Sequence, residues 1–101
     1  MAVKKTTAKT KRKYVVVRTY SAGVHVGELV QRKGMDVELA NARRIWSWSG
    51  AFTLSEIAMS GIKSGKVSVA VPIIVLTQAI EIIPTSKESE SCLRNFQAHK
   101  V

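Results

Sequence analysis

The sequence has few of the residues from which catalytic, metal and disulfide sites are built. Cys92 is the single cysteine, so no disulfide can form within the chain, which is compatible with a reducing compartment. The two histidines, His25 and His99, are not spaced with Cys92 as zinc ligands would be. A nucleophile and base made of Cys92 and His25 would also need a third group to orient the base. We expect His25 to be an exposed residue between Val24 and Val26. We therefore expect no enzyme activity, no metal and no cofactor.

Long apolar segments are also missing. The run Val71–Leu76 is too short to span a bilayer, and Pro72 interrupts it. The N-terminus is basic, but it contains no apolar stretch of the kind found in secretory signals. We expect a soluble, cytoplasmic protein that does not bind membranes.

Aromatic residues are scarce, at 6% of the chain, although 46% of the residues are hydrophobic. The apolar residues are mostly valine, isoleucine and alanine. Because β-branched side chains pack well on a pleated surface, this composition favours strands. A length of 101 residues fits one domain with a single core.

Positive charge is concentrated at the start of the chain. Residues 1–13 contain no acid and six of the sixteen bases, namely Lys4, Lys5, Lys9, Lys11, Arg12 and Lys13. The remaining residues hold ten bases and seven acids, so they carry only +3 of the net charge of +9. We predict a disordered basic arm at residues 1–13, a β-rich domain at residues 14–84 and a loose polar tail at residues 85–101.

Several short strands are predicted within the domain. Residues 14–20 have the pattern of a strand buried on both faces, and residues 24–30 that of a second strand with a bulge at Gly27. A hairpin turn is expected at residues 31–34. Further strands are predicted at residues 37–39, 43–49 and 67–71 and within residues 73–83. Pro72 should end a strand or lie at a sheet edge.

The clearest local signal is a helix N-terminus at Thr53. Thr53 and Glu56 have the spacing of a capping box, and Gly61 is placed to end the helix in a left-handed conformation. We expect Leu54, Ile57 and Ala58 to face the sheet. The elements together predict a mainly β fold, a small curled sheet or barrel of about five strands on an SH3-like or OB-like plan, with one short helix near residues 54–60.

Two tryptophans lie two residues apart in the strand predicted at residues 43–49. By alternation, Trp46 and Trp48 share a face with Arg44. If exposed, they would form a stacking platform for unpaired bases, with Arg43 and Arg44 contacting phosphate. If buried, each would remove on the order of 200 Å² of surface from water. Because the core has few other aromatic residues, we expect both tryptophans to be buried.

Residues 63–66 are predicted to form a basic turn. The glycines at 61 and 65 are separated by three residues, whereas a phosphate-binding loop needs four and a serine or threonine after its lysine. The bases of this turn are secondary candidates for phosphate contacts. The complete candidate set for nucleic-acid binding is Lys4, Lys5, Lys9, Lys11, Arg12, Lys13, Arg43, Arg44, Lys63 and Lys66.

Four segments of the domain carry a resemblance to a known family: residues 18–29, 41–48, 54–58 and 80–84. They resemble a family of small bacteriophage and prophage proteins of unknown function, most specifically in Ala42-Arg43-Arg44-Ile45-Trp46. The resemblance covers about residues 14–84. It implies a phage or prophage origin, a compact β-rich domain, and a location in the cytoplasm of the infected bacterium or in the virion.

Three functions fit these observations. The basic arm could neutralise phosphates of a nucleic acid, although a solvated arm that only improves solubility has the same composition. The arm of a virion or assembly component could instead enter a neighbouring subunit, which is compatible with a homo-oligomer. The third function is inhibition of a host protein or capture of a small signalling molecule. We expect a non-enzymatic binding module whose partner is nucleic acid, or else a phage or host protein.

Overall fold

The computed structural model describes residues 12–21, 23–51 and 53–98. Within these ranges, six strands and two helices follow one another. They are β1 Tyr14–Thr19, β2 Val24–Lys33, β3 Asp36–Ser49, α1 Leu54–Ser60, β4 Ser64–Val67, β5 Val71–Leu76, β6 Ala79–Pro84 and α2 Lys87–Asn95.

All strand pairs are antiparallel, and the strands form one curled sheet in the order β4-β3-β2-β1-β6. β5 pairs with the first half of β3, on the same edge as β4, so the sheet is five strands across. The curl brings the tip of the β2–β3 hairpin to the start of β6, where the backbone N–H of Ala79 donates to the carbonyl of Met35 at 3.0 Å. The predicted mainly β, curled fold of about five strands is confirmed.

The first half of β1 is buried on both faces of the sheet, and its successive residues point to opposite sides. On one face, Val16 and Val26 pack with Ile57 of α1 and Leu93 of α2. On the other face, inside the curl, Val15 packs in a second cluster. The continuous apolar run at the start of β1 therefore predicts its double burial correctly.

A bulge in β3 changes which of its residues point inward. The register with β2 shifts between Val26 and Glu28, and Asn41 on β3 has a left-handed φ of 51°. A Cβ on Gly27 would lie 3.1 Å from both the Ala40 carbonyl oxygen and the Ala42 Cα. A side chain at position 27 would press on the β3 backbone, and the predicted irregularity lies here, with the extra residue on β3 opposite Gly27 rather than on β2.

A second irregularity separates the two tryptophans. The register of β3 with β4 shifts between Ile45 and Ser47, so Trp48 turns to the helix side of the sheet and packs against the core. Its indole N–H donates to the Ala51 carbonyl at 3.1 Å. Trp46 is 58% exposed. The prediction that both tryptophans are buried together is wrong for Trp46, because a bulge breaks the alternation on which it rested.

Helix α1 begins as predicted. The Thr53 hydroxyl accepts from the Glu56 N–H, the Glu56 carboxylate accepts from the Thr53 N–H, and both distances are 3.2 Å. Gly61 ends the helix with φ of 78°, and Ile57 and Ala58 are buried.

The predicted loose tail is wrong, since residues 87–95 form α2, a second helix. Ser86 caps its N-terminus, and Leu93 is fully buried in the helix-side core. Cys92 lies so close to Gly61 that a Cβ there would be 2.7 Å from its sulfur. The contact stripe of α2 is narrow and consists of Ser89, Cys92 and Leu93, which explains why apolar periodicity did not reveal the helix.

The region 63–76 also differs from expectation. Residues 64–67 form β4 rather than a basic turn, and the predicted strand at 67–71 is interrupted by residues 68–70. These three residues lie opposite only two residues of β3, because Val67 pairs with Ile45 and Val71 pairs with Ala42. Pro72 was predicted to end a strand or to lie at a sheet edge, and it lies in the edge strand β5.

Candidate nucleic-acid-binding surface

The basic arm leaves the domain beside β2. Lys4, Lys5, Lys9 and Lys11 lie outside the described residues, whereas Arg12 and Lys13 are described and exposed. The Lys13 carbonyl accepts from the Leu29 N–H at 2.8 Å, and an Arg12 amino group lies 3.8 Å from the Glu28 carboxylate. The end of the arm is therefore joined to the sheet by one backbone hydrogen bond.

Arg43 is not part of a binding surface, which corrects the prediction from sequence. It is 5% exposed, and its guanidinium donates to the carbonyls of Ser68 and Leu93, both at 2.7 Å, and of Arg94 at 3.4 Å. The last carbonyls of a helix have no partner within the helix and carry partial negative charge. Arg43 therefore stabilises the C-terminal end of α2 against the sheet.

Arg44, the next residue, is exposed and its main chain is held on both sides by Ser68. The Arg44 N–H donates to the Ser68 hydroxyl at 2.8 Å, and the Arg44 carbonyl accepts from the Ser68 N–H at 2.9 Å. Its side-chain Nε donates to Nε2 of His25 at 3.2 Å. The backbone of Arg44 is therefore held in place, while its charged side chain is exposed.

His25 is fully buried between strands, opposite Val17 of β1 and Arg44 of β3, so the sequence-based expectation of an exposed histidine is wrong. Burial and the neighbouring Arg44 charge lower the pKa of His25 from 6.5 to about 4. The imidazole is neutral at pH 7, and because Nε2 accepts, Nδ1 carries the proton. That Nδ1 has no hydrogen-bond partner among the described residues. The sequence predicted that β1 would be buried on both faces. This was the signal that the neighbouring strand β2, which carries His25, would be buried too.

Trp46 and Lys66 are exposed residues of the same part of the sheet as Arg44. Trp46 is two residues from Arg44 on β3, and Lys66 lies opposite Ser47 on β4. Since Val67 belongs to the helix-side core, Lys66 points to the other face of the sheet. We call Arg44, Trp46 and Lys66 the basic–aromatic surface.

Lys63 does not join this surface. It lines an open groove on the helix side, together with Cys92 and Phe96. Of the four domain residues predicted to contact nucleic acid, the structure brings together Arg44 and Lys66, buries Arg43 and places Lys63 on the other side of the sheet.

A cluster of charged residues joins α2 to the sheet near the arm. Glu28 accepts from Arg94 at 2.8 Å and from Asn41 at 3.1 Å, and the Arg94 guanidinium lies 4.5 Å from the centre of the Tyr14 ring. Partial burial disfavours the ionised Glu28 carboxyl, but these hydrogen bonds outweigh it and hold its pKa below the usual value. The cluster positions α2 rather than offering free charge.

The two candidate catalytic groups have other contacts. The Cys92 thiol donates to the Ile62 carbonyl at 3.3 Å, and His25 binds Arg44. Within the described ranges, no group of three or more His, Cys, Asp or Glu side chains is placed to hold a metal ion. No helix in the part of the chain that the structure describes is long and apolar enough to cross a membrane.

Comparison with curated proteins and with solved structures gave no significant match. A family model does match, and it covers residues 12–93, so it extends beyond the predicted limit of residue 84 and includes most of α2. By this match the chain belongs to the family described as Domain of unknown function (DUF6948).

Proposed function

We propose that this protein is a non-enzymatic nucleic-acid-binding module whose basic arm supplies most of the affinity. The observation that carries the proposal is the charge of residues 1–13, where six bases occur without an acid. Of the two that the structure describes, Lys13 forms no ion pair with a described residue and Arg12 has only the long contact to Glu28. These charges are available to phosphate.

Binding of this kind is electrostatic and independent of base sequence. Each neutralised phosphate releases counterions, so affinity falls steeply as salt rises. Six bases in the arm should neutralise on the order of four to six phosphates, and the logarithm of the binding constant should fall by about 0.9 per phosphate for each tenfold rise in salt.

The test is a gel-shift titration with duplex DNA at two salt concentrations. The variant replaces Lys4, Lys5, Lys9 and Lys11 by glutamine, which removes charge without shortening the chain. We expect loss of most binding and a smaller salt slope. The matched control replaces Lys33, Lys63, Lys87 and Lys100, four lysines outside the arm. Equal losses in both variants would mean that net charge, not the arm, determines binding, and absence of binding by the native protein at low salt would refute the proposal.

The alternative is a virion or assembly component. The edge strand β5 favours it, because Ile73 and Val75 are 49% and 60% exposed there. An exposed apolar edge strand is a site where another chain can pair. Light scattering at several concentrations would detect a stable oligomer. A monomer at every concentration would contradict the role of the β5 edge in assembly.

We also propose a phage or prophage origin and action in the cytoplasm of an infected bacterium or in the virion. The support is the resemblance of residues 14–84 to small phage and prophage proteins, most specifically at Ala42 to Trp46. Phage genes on both sides of the coding sequence are the expected finding. A housekeeping operon around it would contradict this origin.

A further inference from the structure

We infer that the basic–aromatic surface of Arg44, Trp46 and Lys66 binds single-stranded nucleic acid, with one unpaired base stacked on Trp46 and the adjoining phosphates bound by the two cations. The inference rests on the proposed function and adds to it the class of ligand and a site on the folded domain.

The contrast between the two tryptophans is the first step. Trp48 packs against the core and its indole N–H has an intramolecular acceptor, so it has a structural role. Trp46 is only two residues away on the same strand, yet it is 58% exposed. Exposing much of an indole forgoes a large hydrophobic gain, since aromatic rings contribute strongly wherever they are buried. Burial against a ligand would recover that gain.

The surroundings of Trp46 determine which ligand fits. Arg44 and Lys66 are both exposed, and neither takes part in an ion pair between described residues. The hydrogen bond to His25 uses Nε of Arg44, and no hydrogen bond of the two terminal amino groups to a described residue is seen. An exposed aromatic ring on the same part of the sheet as two exposed cations is complementary to a base with its phosphates, because bases stack on aromatic side chains while Arg and Lys bind the backbone.

A single strand fits this surface better than a duplex. In a duplex the base faces are already stacked on one another, so Trp46 could add nothing beyond the phosphate contacts of the arm. An unpaired base offers its face to the indole. Both DNA and RNA have such bases, and base stacking alone does not distinguish them.

The experiment uses two single-tryptophan proteins. In Trp48→Phe the remaining fluorescence comes from Trp46, and in Trp46→Phe it comes from Trp48, which serves as the matched control. Each full-length protein is titrated with single-stranded DNA, single-stranded RNA and the corresponding DNA duplex. We expect single strands to quench Trp46 strongly, duplex to quench it weakly, and Trp48 to respond to neither.

Affinities provide the second measurement. Trp46→Ala should weaken single-strand binding by roughly 5- to 100-fold, as expected for loss of one base stack, and should leave duplex binding unchanged. Lys66→Gln should weaken single-strand binding more than Lys63→Gln, which removes the same charge from the opposite side of the sheet.

Each outcome has one meaning. If single strands bind but Trp46 fluorescence is unchanged, or if duplex quenches it equally, the single-strand site is wrong while the function of the arm stands. Equal effects of Lys66→Gln and Lys63→Gln would also overturn the site. If no nucleic acid binds at low salt, the proposed function itself fails. Quenching by only single-stranded DNA or only single-stranded RNA would support the site and show which of the two nucleic acids it binds.

Discussion

At the scale of single residues, the adjacent arginines 43 and 44 illustrate how strand geometry assigns different roles to identical side chains. Alternation along β3 turns Arg43 towards α2, where it is 5% exposed, and turns Arg44 to the opposite face. Arg43 therefore binds carbonyls of its own chain, whereas Arg44 remains available to a ligand.

The first prediction concerns the contacts of Arg43. Lysine keeps the charge but lacks the planar fork that reaches the Ser68 and Leu93 carbonyls together. Arg43→Lys should therefore lower the free energy of unfolding by about 2 kcal/mol, measured by urea denaturation. The matched control is Arg44→Lys, for which a loss under about 1 kcal/mol is expected at an exposed position. Similar losses in the two variants would contradict the role assigned to Arg43.

The second prediction is a pH dependence of stability due to His25. Its pKa is about 4 in the folded protein and about 6.5 when the chain is unfolded, so the unfolded chain takes up the proton first as the pH falls. The free energy of unfolding should have its full value above pH 6.5 and should decline between pH 6.5 and 4, by on the order of 3 kcal/mol in total.

Urea denaturation at pH 7, 5.5 and 4.5 would measure this decline. The comparison variant is His25→Gln, whose amide oxygen can still accept from Arg44 but does not titrate. Its stability should change less over this range, while Glu28, with its lowered pKa, contributes equally to both proteins at the acid end. Identical pH profiles would show that His25 is not the responsible group.

At the scale of elements, the two helices differ in how clearly their sequences predict them. Helix α1 has a complete capping box and a terminal glycine, and both form as predicted. Helix α2 has the cap Ser86, acidic residues in its first turn and Arg94 in its last, but its contact stripe contains little apolar surface. These charge and capping signals would have found α2, whereas periodicity did not.

The third prediction is that α2 is an integral part of the fold. Leu93 is fully buried with residues of β1, β2 and α1, so Leu93→Ala should destabilise the protein by about 2–5 kcal/mol. Ser91→Ala, at an exposed position of the same helix, is the control and should have little effect. Thermal or urea denaturation measures both. A loss below about 0.5 kcal/mol for Leu93→Ala would restore the view of residues 85–101 as a tail.

At the scale of the whole molecule, charge and core are separated along the chain. Among the described residues, the two core clusters begin at Tyr14 and Val15, whereas six of the nine net charges lie in residues 1–13. Folding and the proposed electrostatic binding should therefore depend on different segments.

The fourth prediction follows from the point at which the arm joins the sheet. Deleting residues 1–11 should leave the free energy of unfolding unchanged within about 0.5 kcal/mol, because this polar, basic segment lacks the apolar pattern of a core element. Deleting residues 1–13 also removes the Lys13 carbonyl that accepts from Leu29, and this should cost about 1 kcal/mol. Calorimetry or urea denaturation of the two truncated proteins would separate the cases. A large loss in the shorter deletion would mean that the arm contributes to the fold.

The amino-acid sequence alone determined the strand-rich composition, the double burial of β1, the irregularity at Gly27 and the start of α1 at Thr53. These are local properties: side-chain shape, alternation and capping act over a few neighbouring residues. The segregation of charge into the arm is likewise a property of the sequence.

Only the tertiary structure decided the roles of His25, Arg43, Trp46 and Leu93. Each depends on a partner that is distant in sequence or on a bulge that reverses the facing of a strand, as between Ile45 and Ser47. A register shift of one residue turns every later side chain of the strand to the other face of the sheet. Alternation therefore predicts the facing of the side chains only up to the first such shift, which in β3 separates Trp46 from Trp48. For this reason the sequence could propose Arg44 and Lys66 as candidates, whereas the exposure of Trp46 beside them in the sheet could be read only from the structure.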